Sequence, residues 1–277
     1  MNLARDIFLV GSSVAAGAIN SVAGGGTLVS FPAALAAGLP PLVANATNAV
    51  AMTPGSLAAA WAYRRFLGDR KHLALLLMLP SAAGAMLGAI VLRYTKPSVF
   101  SAIVPWLILG ATLVMLLQQV GVHLTRAAAP SPASPRTGQE APTVTDAPPP
   151  EGTASSRRMA LVIFFQFLVG IYGGYFGGAM GIIMLAYLSL LGGMEIHQMN
   201  SIKNALAALV NGVASVYFFA SGMIDPRAAV LMTVGAIAGG FAGARVARKI
   251  QPRVVRWTVI AIGLSLAAVF GARTLSR

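Results

Sequence analysis

Two hydrophobic runs in this chain are too long for one simple crossing of a bilayer, and both are broken by glycine. They cover residues 7–39, interrupted at Gly24, Gly25 and Gly26, and residues 159–191, interrupted by GIYGGYFGGAMG at 170–181. A helix needs about 20 apolar residues to cross the hydrocarbon core, and each interior glycine weakens a helix by roughly 0.8–1 kcal/mol relative to alanine. The glycines therefore mark places where the backbone leaves the helix at membrane depth.

Six further apolar runs, at 44–66, 73–92, 98–120, 198–221, 228–246 and 254–269, complete the pattern. With 57% apolar and 10% charged residues, and a mean hydropathy of +0.76, the composition belongs in a bilayer. The runs lack the period-2 alternation of barrel strands, so the fold class is an all-α polytopic membrane protein. The first run superficially resembles a signal peptide, but the same kind of segment returns at residue 159, which argues against that reading.

The net charge of +13 follows from Lys and Arg at the ends of the apolar runs, where membrane topology places them. No nucleic-acid partner is implied. The absence of cysteine excludes disulfides, thiolate metal sites and cysteine nucleophiles.

Residues 121–157 are rich in Pro, Ala, Ser and Thr and read as a disordered linker that cannot bury a core. The linker divides a first transmembrane repeat, 1–120, from a second, 158–277. A shift of 155 places Asn45 on Asn200, Gly84 on Gly239, Gly88 on Gly243 and Pro97 on Pro252. NATN at 45–48 meets NSIKN at 200–204 within a residue or two of that shift, and the chain reads as an internal duplication of two four-segment repeats.

Charge tests what the glycine breaks do. If all eight runs are simple crossings, Lys and Arg divide 12 to 8 between the two faces; if each broken run enters and turns back, they divide 14 to 6. The positive-inside rule favours the second arrangement. It makes the repeats inverted, with both termini outside and the linker in the cytoplasm. Gly-interrupted segments in corresponding positions of two halves point to a transporter's binding site.

The seven acidic residues lie in the linker or at segment ends. A cation site or proton relay built on membrane carboxylates thus lacks its parts. His72, His123 and His197 are too dispersed to bind a metal. No cofactor is implied, and no nucleophile or acid–base pair suggests an enzyme. What the interior offers is donors.

A half-helix that starts after a glycine turn presents unpaired N–H groups and its positive dipole end, an arrangement suited to an anion. Gly25, Gly26 and Thr27 occupy that place in the first half, and Gly178 and Gly181 in the second. The next segment of each half adds polar groups: Asn45, Thr47 and Asn48, then Asn200, Ser201, Lys203 and Asn204. Lys203 either binds the anion or extends to the cytoplasmic surface. The expected partners are a small anionic substrate and the lipid bilayer, with self-association to form a homo-oligomer left open.

NSVAGGGTLVSFP at 20–32, GLPPLVANATN at 38–48, GGAMGIIML at 177–185 and MNSIKN at 199–204 resemble the TauE/SafE family of sulfite-exporter-like permeases. The resemblance implies a bacterial inner-membrane secondary transporter of sulfite, sulfonates or related sulfur oxyanions. It also implies a lysine in the second repeat, matched by Lys203, and a threonine-serine pair, here Thr47 and Asn48. A proton-coupled carrier of small carboxylates and a non-transporting membrane accessory protein are the alternatives.

Overall fold

The computed structural model describes residues 3–22, 25–127, 153–191, 193–246 and 261. They form nine α-helices and two short 3-10 turns, with no strand among them. In chain order these are α1 (Leu3–Val22), α2 (Thr27–Ala36), α3 (Pro41–Tyr63), α4 (Lys71–Tyr94), α5 (Pro97–Ala127), α6 (Thr153–Tyr175), α7 (Met180–Leu190), α8 (Ile196–Ala220) and α9 (Pro226–Val246). Four described helices, α4, α5, α8 and α9, are long and apolar enough to cross a membrane. Gly24, Trp257 and the run at 254–269 apart from Ala261 lie outside the described residues, as does 128–152, most of the Pro/Ala-rich stretch.

Local chemistry sets the helix starts. Proline opens α3, α5 and α9, where its missing N–H costs nothing and its φ is already helical. Asp225 precedes α9, and its Oδ1 accepts from Ala228 N at 2.9 Å, an N-cap. Glu195 and Gln198 form a reciprocal capping box at the head of α8.

Packing joins the helices across the linker. α1 lies on α9, and α6 lies on α4. Val10 and Val14 face Gly235 and Gly239, and Ala18 faces Gly243, so α1 and α9 run the same way. Phe167 faces Gly84 and Tyr175 faces Gly88, while Gln166 bonds Ser81 over 2.6 Å, so α6 and α4 also run the same way. The backbones approach closely because the facing residues are glycines.

α3 joins the first pair in the same direction. Thr47 near its start bonds the main chain just before α9, and Gly55 faces Ala236 and Gly240. α8 joins the second pair: Arg70 bonds Gly193 O before the two helices begin, and Arg93 bonds Ser221 O where they end.

Two trios result, α1/α3/α9 and α4/α6/α8. They meet where α3 crosses α8, with Thr53 and Ser215 hydroxyls 2.9 Å apart. Beyond Ser215, α8 heads toward Asp225, which sits at the Thr47 end of α3. The trios therefore run in opposite directions. One end of the bundle gathers Arg5 and Arg227, with Arg227 ion-paired to Asp6; the other gathers Arg64, Arg65 and Arg245 around His197.

Both glycine-broken runs reverse. Gly26 rests on Ala16 and Asn20 of α1, and since α1 and α3 run the same way, α2 returns between them. Gly173 meets Met180 while Gln166 bonds Tyr187, so α7 runs back along α6. Phe31 of α2 packs edge-on against Phe176 in the second break, centroids 5.4 Å apart, so the two hairpins touch.

Candidate functional site

Each break lies beside the α3–α8 crossing. Asn20, near the end of α1, donates to Ser56 of α3 over 3.2 Å. In the second half Gly177 approaches Asn211 of α8. Thr53, Ser56, Asn211 and Ser215 thus form a polar layer within the bundle, flanked by the two breaks.

The first break couples two helix ends of opposite sign. α1 ends at Val22, and its terminal carbonyls carry partial negative charge. Lys203, 1% exposed, donates to Asn20 O and Ser21 O at 2.9 and 3.3 Å. Asn204 adds its amide to Ser21 O at 3.3 Å. α2 begins at Thr27 with Gly26 as its N-cap. Gly25 and Gly26 are buried, and a side chain at Gly26 would strike the Ala16 carbonyl. Among the described residues, the N–H groups of Gly26 and Thr27 find no acceptor.

The second break is built in the same manner. Phe176 N and Gly177 N both donate to Tyr172 O, closing α6. Asn45, on α3, donates to Tyr175 O at 2.8 Å. Gly177 and Ala179 take left-handed φ values of 74° and 59°, which aim successive N–H groups to one side. Tyr172 Oη donates to Gly178 O and holds the turn. The N–H groups of Gly178, Ala179 and Gly181 have no acceptor among the described residues, and all three residues are buried.

All twelve sequence-predicted residues are described, and eleven are buried, Thr27 being half-buried. They do not all face one space as donors. Asn45, Lys203 and Asn204 direct their nitrogens at helix-end carbonyls. Thr47 Oγ1 accepts from Asp225 N at 2.9 Å and ties α3 to the start of α9. The amide oxygens of Asn45, Asn48, Asn200 and Asn204 are buried without a partner. Ser201 is buried beside them on α8. Among the described residues no three His, Asp or Glu side chains come together to hold a metal.

The family model for "Sulfite exporter TauE/SafE" matches residues 9–270. This chain belongs to the TauE/SafE family. It is 27% identical over 269 residues to "Probable membrane transporter protein ORF9" of Sinorhizobium sp, covering 94% of this chain and 90% of that one. It is 27% identical over 261 residues to "Probable membrane transporter protein YfcA" of Escherichia coli strain K12, covering 91% and 84%. A Haemophilus influenzae "Probable membrane transporter protein" is 25% identical over 272 residues, covering 97% and 94%. No solved structure is a significant match. The chain is thus a membrane transporter and not an enzyme.

In this TauE/SafE chain the residues that sequence reasoning missed are the acceptors. Asn20, Ser21 and Tyr175 supply the carbonyls that Lys203, Asn204 and Asn45 cap. The signal was present in the glycine breaks: a helix that stops inside a bundle leaves four carbonyls without an intrahelical partner, and the nearest buried polar side chains must serve them. Tyr172, which pins the second turn, carries no local signal that separates it from other aromatic residues.

Proposed function

We propose that this chain is a secondary-active permease for a small anion, with sulfite or an organosulfonate as the first candidates. The anion binds in the bundle interior at the N-termini of α2 and α7. The observation that carries this reading is the set of buried N–H groups of Gly178, Ala179 and Gly181, which have no acceptor among the described residues. Such a turn at a helix N-terminus favours negative charge. The family description supports the substrate class, and the names of the relatives support transport alone.

The reading includes two inverted repeats, 1–120 and 158–277, joined by a cytoplasmic linker, whose expected span of 121–157 is shortened because α5 continues to Ala127 and α6 begins at Thr153. Its support is reciprocal packing: α1 lies on α9 as α6 lies on α4, and the two trios run oppositely. The same scheme puts Arg64, Arg65, Arg70, Lys71 and Arg245 at the cytoplasmic face of a bacterial inner membrane. Alternating access follows from one trio rocking against the other about the α3–α8 crossing.

Proteoliposomes loaded with labelled sulfite, a sulfonate or a small carboxylate test this directly. Saturable, mutually competing flux of the sulfur anions is expected, reduced by Thr27→Val and Ser201→Ala. Flux of the carboxylate alone would transfer the assignment to a carboxylate carrier. No flux, with one stoichiometric protein partner recovered from the membrane, would make the chain an accessory protein.

A further inference from the structure

Two helices, α1 and α6, end inside the bundle, and each brings a partial negative charge of about half an electron into a medium without water. At α1 the problem is solved by a tethered cation, because the Lys203 ammonium donates hydrogen bonds to Asn20 O and Ser21 O. The described residues place no such cation at the end of α6. Asn45 Nδ2 serves Tyr175 O, and the chain's own N–H groups serve Tyr172 O. The carbonyls of the buried Gly173 and Gly174 receive no hydrogen bond from the described residues.

The face of α3 that Asn45 turns to this helix end carries two further oxygens without partners. Because the Tyr175 carbonyl can only accept, the Asn45 amide is oriented with nitrogen toward it, and its Oδ1 is a genuine acceptor. That oxygen is buried and unpartnered, on a residue 3% exposed. Asn48, three residues on and on the same helix face, is 2% exposed and also has an unpartnered Oδ1. In the 155-residue shift Asn48 stands where the other half has Lys203.

We infer that a dehydrated alkali-metal cation binds at the C-terminal end of α6, held by Asn45 Oδ1, Asn48 Oδ1 and the carbonyls of Gly173 and Gly174. It takes the position that the Lys203 ammonium fills at the end of α1. Neutral oxygens suit a monovalent hard cation, whereas a divalent ion requires carboxylates to offset its dehydration. The cation site and the N–H groups at 178–181 flank one turn, so a cation and an anion bound there attract each other, and each raises the affinity for the other. This coupling role rests on the anion-transport reading above; the cation site itself does not.

The test uses full-length protein in nanodiscs with no substrate anion. Melting is followed in sodium, potassium or choline chloride at constant ionic strength, alongside equilibrium binding of labelled sodium and rubidium. Saturable binding and a saturable rise in melting temperature with sodium or potassium, absent in choline, are expected. Asn48→Ala should weaken the apparent affinity at least tenfold. Asn48→Lys, which tethers an ammonium at the site, should abolish the alkali dependence while the protein remains folded in choline. Equal melting in all three salts without saturable binding, or alkali dependence unchanged in Asn48→Lys, would overturn the site. Cation binding without any anion flux would leave the site standing and remove only the transport reading. Flux as fast in choline as in sodium and potassium would overturn the coupling.

Discussion

The Lys203 ammonium lies 2.9 Å from the main-chain oxygen of Asn20, so a side chain of α8 terminates a helix 183 residues earlier. Removing that donor takes the side-chain partner from Asn20 O and leaves Ser21 O to Asn204 alone, at about 1–3 kcal/mol for a buried group left unpaired. Lys203→Met should therefore lower the melting temperature well below that of the wild type and speed amide exchange at the end of α1. Lys203→Gln keeps one donor within reach and should lose less. Equal melting of Lys203→Met and wild type would show that the cap contributes nothing.

The glycine stripes hold the two parallel pairs. A Cβ on Gly239 would meet the Val14 carbonyl, and one on Gly88 the Ile171 carbonyl. Backbone cannot yield as a side chain can, so Gly239→Ala and Gly88→Ala should each shift α9 from α1 or α4 from α6 and reduce stability. Gly110 has no atom near its would-be Cβ, and Gly110→Ala should be neutral or add up to about 1 kcal/mol through helix propensity. Thermal melts of the three variants in one detergent decide this, and a destabilised Gly110→Ala would contradict it.

Much of this architecture is legible in the sequence because membrane burial writes it plainly. The apolar runs at 73–92, 198–221 and 228–246 correspond to α4, α8 and α9, and Gly24–Gly26 and 170–181 bracket the breaks after α1 and α6. Which helix packs on which is not local information. Gly84 and Gly239 are recognisable as packing residues, yet nothing near them names α6 or α1 as the partner. The roles of the site asparagines were hidden for the same reason. Asn45 serves Tyr175, 130 residues away, and only the folded chain shows that its nitrogen is committed and its oxygen is left over.

The α6–α7 hairpin depends on a buried polar chain in which Tyr187 Oη donates to Gln166 Oε1, and Gln166 Nε2 donates to Ser81 Oγ at 2.6 Å. Tyr187→Phe removes the donor and leaves the Gln166 oxygen unpaired in an apolar core, a cost of about 1–3 kcal/mol. The loss should appear as faster amide exchange in α7, with α1 and α9 little changed. Gln166→Leu combined with Tyr187→Phe should recover part of it, because both ends of the bond then become apolar. A double variant as unstable as the sum of the singles would show that the bond itself is not the source.

Ala179 occupies the left-handed region at φ 59°, where a side chain costs roughly 1–2 kcal/mol that glycine avoids. The strain sits at the N-cap of α7, directly beside the N–H groups proposed to meet the anion. Ala179→Gly should relieve it, raising the melting temperature slightly while preserving anion flux. Ala179→Val adds β-branching in the same conformation and should force the turn into another shape, withdrawing those N–H groups from the interior. Flux should then fall far more than stability does. The comparison is made with melting and labelled-sulfite uptake measured on the same preparations. If Ala179→Val transports at the wild-type rate, the α7 N-terminus is not where the anion binds.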